Sequence, residues 1–329
     1  MTEKLRWGVL STARIGVHKV IPGFRRSLRN EVVAIASRDA GTARAVADSL
    51  GIPRAHGSYE ALLADPDVDA IYIPLPNHLH VEWTIAALRA GKHVLCEKPM
   101  ALTVADAERL VVESESSGRL LVEAFMYRHH PSWLTARELI AAGRIGRLVA
   151  VDSWFSYYLP DPTDIRNVLE WGGGGLWDIG CYTVNLARML FGQEPDTVSA
   201  ALVRDPDSGV DILASGTLAF PSGLASFSVG TRVEPDQRVH VYGTEGRIAI
   251  EIPFNIPPEL PTRVLLTTGR RAPEAYETEV ITIPAADPYA CEVDAFAASV
   301  LDGTPSPLPL SDAIGNVRVL ERLFAAAGS

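Results

Sequence analysis

The sequence predicts two domains: an α/β Rossmann domain at residues 1–124, and an α+β domain with a large, open, mostly antiparallel (mixed) sheet at residues 125–329. The chain has 329 residues, which is long for one hydrophobic core. Apolar runs alternate with helical stretches as far as residue 124, a pattern that favours a parallel, doubly wound sheet. From Leu148 onward the strands are short and have a period of two residues, as in antiparallel sheets.

The composition excludes several classes of protein. A net charge of -10 gives no general attraction to nucleic acid or to an anionic membrane. No apolar run reaches the ~18 residues of a membrane span, and the charged N-terminal residues do not resemble a signal peptide, so we expect a cytoplasmic protein. The three cysteines, Cys96, Cys181 and Cys291, form no C-x-x-C pair, and we predict no metal site.

The first strand, Leu5 to Leu10, runs into Ser11-Thr12-Ala13-Arg14-Ile15-Gly16 and then a helical stretch. This is the position of the dinucleotide fingerprint G-x-G-x-x-G, with Ser11 and Ala13 in place of the first two glycines. Those glycines permit a tight turn and let backbone N–H groups approach a pyrophosphate. Serine and alanine are small enough to keep that approach open, although an ordinary strand-to-helix turn has the same pattern.

The second strand, Glu31 to Ala36, is followed by Ser37-Arg38-Asp39, about 20 residues past the fingerprint, where this fold meets the adenosine ribose. Arg38 with Ser37 would hold a 2′-phosphate through charge-assisted hydrogen bonds. Asp39 would instead accept from a 2′-hydroxyl, or cap a helix from Ala40 to Leu50. The pattern favours NADP(H) and leaves NAD(H) open.

Two loops then follow neighbouring strands at the same edge of the predicted sheet, Pro74 to His80 and Glu97-Lys98-Pro99. Ligands of open α/β sheets bind at this edge, which makes Lys98 a catalytic candidate. A solvated surface lysine is the alternative, and Asn77 with His80 could simply begin a helix. The predicted cofactor-binding residues are Ser11, Thr12, Ala13, Arg14, Ile15, Ser37, Arg38, Pro74, Leu75, Asn77, His80, Glu97 and Lys98.

The second half contains turn signals between its strands. Pro221-Ser222-Gly223 and Gly243-Thr244-Glu245-Gly246 are typical of hairpin turns. Pro253 to Pro261 is interpreted as an extended surface loop. The predicted strands are Leu148 to Tyr158, Thr197 to Arg204, Ile212 to Phe220, Leu224 to Arg232, Gln237 to Tyr242, Arg247 to Ile252, Arg263 to Thr268 and Glu277 to Ile283.

Four glycines, Gly172 to Gly175, run directly into a predicted helix from Leu176 to Leu190. Asp178 and Tyr182 lie four positions apart on that helix and therefore share one face. An acid and a phenol on one face favour the wall of a site. The alternatives are that Asp178 caps the helix and that Tyr182 packs with its hydroxyl satisfied.

Together these segments resemble the glucose-fructose oxidoreductase / inositol dehydrogenase (Gfo/Idh/MocA) family over essentially the whole chain. The resemblance implies a Rossmann domain, a second domain with an open sheet, a substrate pocket between them, and a sheet face that forms a homodimer or homotetramer contact. The segments that carry it are Gly8 to Gly16, Pro76-Asn77-His78-Leu79-His80, Glu97-Lys98-Pro99, Gly172 to Tyr182 and Gly243-Thr244-Glu245-Gly246.

The resemblance also assigns roles. Lys98 matches the family's catalytic lysine, and Asp178 matches the acid of a D-x-G-x-H/Y pattern whose last position is Tyr182 here. The tyrosine is similar to that of glucose-fructose oxidoreductase, NADP-dependent pentose and dihydrodiol dehydrogenases, and deoxysugar ketoreductases. A tyrosine has an ordinary pKa of about 10, so we expect the charge of Lys98 to help it relay a proton during hydride transfer. Further substrate-binding candidates are Tyr158, Arg166 and Asn185.

The sequence therefore supports an NADP(H)-dependent oxidoreductase acting on a sugar, polyol or diol. A ketoreductase of a nucleotide-linked deoxysugar is a narrower alternative. A cofactor-sensing regulator without turnover is an alternative from another class, since a fold does not imply a function.

Overall fold

A computed structural model describes residues 3–269 and 276–328. The chain forms two compact units. The first consists of the residues up to Met126 together with Asp287–Ile314, and the second of Tyr127–Ala286 with the residues from Gly315 onward. Within the described residues, no helix is both long enough and apolar enough to cross a bilayer.

The first unit is built on a parallel six-stranded sheet with the order β3-β2-β1-β4-β5-β6. The strand order reverses between β1 and β4, which places the ligand-binding crevice of such sheets at the carboxyl ends of these two strands. The strands are β1 (Leu5–Leu10), β2 (Asn30–Ala36), β3 (Arg54–His56), β4 (Ala70–Ile73), β5 (His93–Glu97) and β6 (Leu121–Ala124).

Helices connect these strands and cover the sheet. Because the chain returns to this unit after residue 286, a late helix also belongs to its core: Phe24 and Phe296 lie 4.9 and 4.8 Å from the Trp7 ring, centroid to centroid. The helices are α1 (Ile21–Arg26), α2 (Ala40–Leu50), α3 (Tyr59–Leu63), α4 (His80–Arg89), α5 (Val104–Ser117) and, after the second unit, α8 (Pro288–Asp302). A π-helical turn at Gly16–Val20 precedes α1.

The second unit contains an eight-stranded sheet with the order β14-β13-β12-β11-β7-β10-β9-β8. Among the strand pairs of the described residues, only the central pair β7 and β10 is parallel, so the predicted mostly antiparallel, mixed sheet is confirmed. Both hairpin turns join antiparallel neighbours as predicted. The strands are β7 (Leu148–Tyr158), β8 (Thr197–Arg204), β9 (Asp211–Phe220), β10 (Gly223–Gly230), β11 (Arg232–Gly243), β12 (Gly246–Ile250), β13 (Thr262–Thr268) and β14 (Glu277–Ile283).

The other helices are α6 (Pro131–Ala141), α7 (Cys181–Phe191) and α9 (Leu310–Ala326). The helix predicted from Leu176 is present, but its first part, Leu176–Gly180, is a π-helical turn that continues into α7. We call Leu176–Phe191 the site helix. One interpretation was wrong: the segment Pro253 to Pro261 is more than a surface loop, because Phe254 is completely buried in an aromatic cluster.

Candidate functional site

The turn after β1 has the backbone of a nucleotide-binding loop. Ser11 has a φ of +147°, a conformation that favours glycine, at the position of the first fingerprint glycine. Its hydroxyl holds the strained turn, because Oγ accepts from the Ala13 amide at 3.1 Å and contacts the Pro74 carbonyl oxygen at 3.3 Å. Helical backbone begins at Arg14, so its first N–H groups point out of the helix start. This geometry fits the pyrophosphate of a dinucleotide.

The two charged residues after β2, Arg38 and Asp39, have different surroundings. Asp39 caps α2: its Oδ1 accepts from both the amide and the hydroxyl of Thr42, each at 2.7 Å. Those bonds lower the pKa of the Asp39 carboxyl. Arg38 is exposed and makes no hydrogen bond or ion pair within the described part of the chain. The exposed guanidinium of Arg38, next to the half-buried Ser37, is available to bind a 2′-phosphate. The carboxylate of Asp39 is less available to a 2′-hydroxyl, because it is already hydrogen-bonded to Thr42.

His80, one of the predicted cofactor-binding residues, is packed inside the first unit. Its side chain is fully buried, and its two ring nitrogens lie 2.8 and 2.7 Å from the carbonyl oxygens of Pro99 and Leu75. Burial lowers its pKa to about 4, against the opposing effect of both carbonyl contacts. His80 therefore ties together the loops that follow β4 and β5, while Asn77 stays half-buried at the start of the helical turn before α4.

The backbone around Lys98 is held from several sides. Tyr72 donates to Oε1 of Glu97 at 2.7 Å, and the amide of Met100 donates to Oε1 of Glu123 at 2.8 Å. The Lys98-Pro99 peptide bond is cis, and the Lys98 side chain is half-buried. These hydrogen bonds fix the backbone from which the Lys98 side chain projects.

Behind this loop lies the fully buried carboxyl of Glu292 on α8. Burial, followed by the negative charge of Glu97, raises its pKa well above the usual range of a glutamate. Glu292 is therefore held in the neutral form, and the negative charge beside the Lys98 backbone belongs to Glu97.

In the second unit, the carboxylate of Asp178 is held by two neighbours. Tyr157 donates to Oδ2 at 2.5 Å, and Nε of Arg166 donates to the same oxygen at 3.2 Å. Burial and the charge of Asp178 raise the pKa of Tyr157, so its phenol remains a donor. The charge of Asp178 also raises the pKa of Arg166, whose other partner is Asp164 at 3.2 Å. The two donors and the positive charge of Arg166 hold the Asp178 carboxylate in place.

Tyr182 lies one turn further along the site helix, with its ring 5.7 Å from Phe155 and 5.4 Å from Phe254. Phe155 and Tyr157 are alternate residues of β7 and project from the same face. Because Asp178 contacts Tyr157 and the ring of Tyr182 contacts Phe155, Asp178 and Tyr182 both face β7.

The substrate-binding candidates differ in position. Arg166 lies beside Asp178, whereas Tyr158 is 63% exposed and points away from it. Tyr157, which the sequence analysis did not select, makes that contact. Asn185 is fully buried, and its Oδ1 accepts from the Tyr127 hydroxyl at 2.6 Å. Asn185 therefore supports, from inside the second unit, the aromatic cluster formed by Tyr127, Phe155, Tyr182 and Phe254.

No group of three or more histidine, cysteine, aspartate or glutamate side chains within residues 3–269 and 276–328 is arranged to hold a metal ion. The residues that could bind a cofactor are those of the β1, β2, β4 and β5 edge.

Two family models match the chain. Residues 5–125 match an oxidoreductase family with an NAD-binding Rossmann fold, and residues 133–249 match the GFO/IDH/MocA C-terminal domain. Together they cover most of both units.

Characterised relatives and solved structures are similar over nearly the whole chain. The chain is 40% identical to D-xylose 1-dehydrogenase (NADP(+)) 2 of Haloferax volcanii, over 98% of this chain and 97% of that protein. It is 37% identical to a dTDP-3,4-didehydro-2,6-dideoxy-alpha-D-glucose 3-reductase of Streptomyces violaceoruber, over 90% and 85%. A 3-ketoreductase from Actinomadura kijaniata, crystallised with NADP and TDP-benzene, superposes with a TM-score of 0.90 at 32% identity, covering 98% of each chain.

Variants of that ketoreductase have also been crystallised with TDP-benzene and NADP, one with a lysine replaced by alanine and one with a tyrosine replaced by phenylalanine. The family models and the extent of these similarities agree with the fold and with the motifs of the sequence. The chain belongs to the Gfo/Idh/MocA family of oxidoreductases.

Proposed function

We propose that this oxidoreductase uses NADP(H) and acts on a carbinol or carbonyl carbon of a sugar, polyol or related diol. The observation that carries the proposal is the arrangement of Asp178 and Tyr182 on one face of the site helix. A carboxylate that is held in place can orient a substrate hydroxyl, and a phenol one turn away can exchange a proton with the neighbouring oxygen.

Each side chain has a distinct task in this scheme. Tyr182 donates its phenol proton to the substrate oxygen in reduction and takes it back in oxidation. Lys98 orients and polarises that oxygen through its positive charge. Asp178 binds an adjacent hydroxyl, and Arg166 with Tyr157 keeps its carboxylate in place. The nicotinamide, when bound, supplies or accepts the hydride.

The relatives support these assignments. The lysine and tyrosine replaced in the Actinomadura ketoreductase variants are separated by the same number of residues as Lys98 and Tyr182 are here. The dehydrogenase relative is named for a free pentose and the reductase relative for a nucleotide-linked deoxysugar. The chain is 40% identical to the dehydrogenase and 37% identical to the reductase. We therefore rank free sugars as the first candidate substrates and nucleotide-linked keto sugars as the second.

A substrate panel tests the proposal. NADP+ is supplied with pentoses, hexoses, polyols and trans-diols, NADPH with TDP-linked keto sugars, and absorbance at the nicotinamide band is followed. Turnover of a free sugar or diol supports the first candidate, and turnover of only the TDP-linked compounds supports the second. Tight cofactor binding with no turnover of any compound would favour a cofactor-sensing regulator and would count against both.

We predict that Arg38→Ala raises the KM for NADPH about 10- to 100-fold, because each hydrogen bond to a charged group contributes ~1.5–3 kcal/mol. The KM for NADH should change by less than about threefold, since NADH has no 2′-phosphate. Steady-state kinetics with both cofactors measures this. Arg44→Ala, a change on the neighbouring helix α2, is the control. Equal losses with both cofactors would show that Arg38 does not select the phosphate.

We also propose that the protein is a cytoplasmic homodimer or homotetramer that associates through one face of the second unit's sheet. That face carries hydroxyl pairs, such as Ser215 with Ser228 at 2.7 Å, and, four residues before Ser228 on β10, Leu224, which is 58% exposed. The proposal is supported by the resemblance to the Gfo/Idh/MocA family, which implies a homodimer or homotetramer contact through this sheet face. Light scattering of the purified protein gives its mass, and a monomer at micromolar concentration would contradict the proposal.

A further inference from the structure

The site helix begins at a buried carboxylate that none of the roles described above uses. Asp211, the first residue of β9, is 1% exposed. Its Oδ2 accepts from the amide of Leu176 at 2.6 Å, and the amide of Gly175 also donates to this carboxylate. Since the first N–H groups of a helix have no partner within the helix, Asp211 acts as a cap supplied from a distant strand.

The glycines before the helix make this contact possible. A Cβ on Gly174 would lie 2.1 Å from Oδ1 of Asp211, and Gly174 has a φ of +111°. A Cβ on Gly173 would lie 2.6 Å from the carbonyl oxygen of Arg166. The glycine run is therefore a close-packed junction between Asp211 and the Arg166 loop, in place of the flexible linker that its composition also allows.

The junction leads directly to the reactive groups. The amide of Asp178 donates to the carbonyl oxygen of Gly174 at 3.0 Å, and the amide of Gly174 donates to the carbonyl oxygen of Arg166 at 2.9 Å. A shift of the backbone at Gly174 would thus move Asp178 and Arg166 relative to each other. Tyr182 would follow, because it lies one turn further along the same helix.

We propose that Asp211 is a positioning residue, which sets the orientation of Asp178 and Tyr182 through the first amides of the site helix. The inference rests on the proposed function of those two residues. Negative charge at a helix N-terminus is also favourable to the helix itself, so the carboxylate holds the helix more firmly than a neutral group does.

The ionisation of Asp211 provides a specific signature. Burial raises its pKa to about 6, opposed by the amides of Leu176, Asp211 and Gly175 and by the charge of Arg204, which lies opposite it on β8. Below that pH the group is protonated and its charge on the helix is lost. Activity should therefore decline as the pH falls through about 6.

Asp211→Asn and Asp211→Ala test the proposal, with the exposed Asp207→Ala as the control. We expect Asp211→Asn to lower kcat about 3- to 10-fold at pH 7.5 and to leave the KM for NADPH unchanged. The activity of this variant should not decline as the pH falls through about 6. Asp211→Ala should lower kcat further. Rates are normalised to folded protein by circular dichroism and measured well below Tm. A lower Tm with the parental kcat and the parental pH profile would overturn the proposal.

Hydrogen exchange separates this inference from the proposed function. Amides of residues 175–180 should exchange at least tenfold faster in Asp211→Ala, whereas those of α8 in the first unit should not change. Unchanged exchange at 175–180 would overturn the positioning role even if the enzyme is active. Faster exchange in a protein that turns over no sugar would uphold the capping of the helix by Asp211 and count against the function proposed for Asp178 and Tyr182.

Discussion

Replacing Lys98 with alanine is expected to lower kcat/KM by about 10³-fold, which corresponds to roughly 4 kcal/mol of transition-state stabilisation. The loss is large because, in the proposed mechanism, the variant removes the cation that polarises the substrate oxygen. The dissociation constant of NADPH should change by less than about threefold, since the fingerprint turn and Arg38 remain. Stopped-flow kinetics and fluorescence titration measure the two quantities.

Lys4→Ala is the control, because Lys4 is exposed and lies before β1. Lys98→Arg should recover only part of the rate, since a planar guanidinium does not replace the compact ammonium group. A Lys98→Ala enzyme with more than about a tenth of the parental kcat/KM would show that Lys98 is a structural or cofactor-contacting residue only.

Tyr182→Phe is expected to lower kcat by about 10²- to 10⁴-fold, the usual contribution of a positioned acid or base. The ring and its contacts with Phe155 and Phe254 are retained, so Tm should change little. In the oxidative direction a phenolate is the active base, and the parental rate should rise with pH. The variant should lack this rise, which pH profiles of kcat from the two enzymes would show.

Tyr276→Phe is the matched control, since Tyr276 is 55% exposed. If Tyr182→Phe keeps the parental pH profile, another group transfers the proton. The ordered neighbour Tyr157 is a poor substitute, because burial and Asp178 keep its phenol protonated.

Local pattern was sufficient for much of the fold. The predicted bounds of β7, β8, β14 and α2 agree with the structure. β8 alternates along most of its length and α2 begins at the cap Asp39, so local signals were sufficient to place them. The short strand β3 was missed. Its residues, Arg54–His56, are all half-buried, so they form no apolar run from which a strand could be predicted.

The site was predictable in part. The placement of Asp178 and Tyr182 on one face was predictable because their relation is local, one helical turn. Contacts between distant segments left no such signal: Asp211 reaches the helix start from 35 positions away, and Phe254 enters the aromatic cluster from a proline-rich loop. Strict alternation along β7 could have shown that Tyr157, and not Tyr158, shares the face of Phe155.

The π-helical turn at Leu176–Gly180 affects how the sequence of this site can change during evolution. A π turn is equivalent to an α-helical turn that has gained one residue, and each residue of an α-helix turns the chain by about 100°. Loss of one residue between Asp178 and Tyr182 would shorten their spacing to three positions, which still places both on one face of an α-helix. A single-codon deletion at this turn would therefore shift the contact of Asp178 with Tyr157 while leaving acid and phenol on the same face.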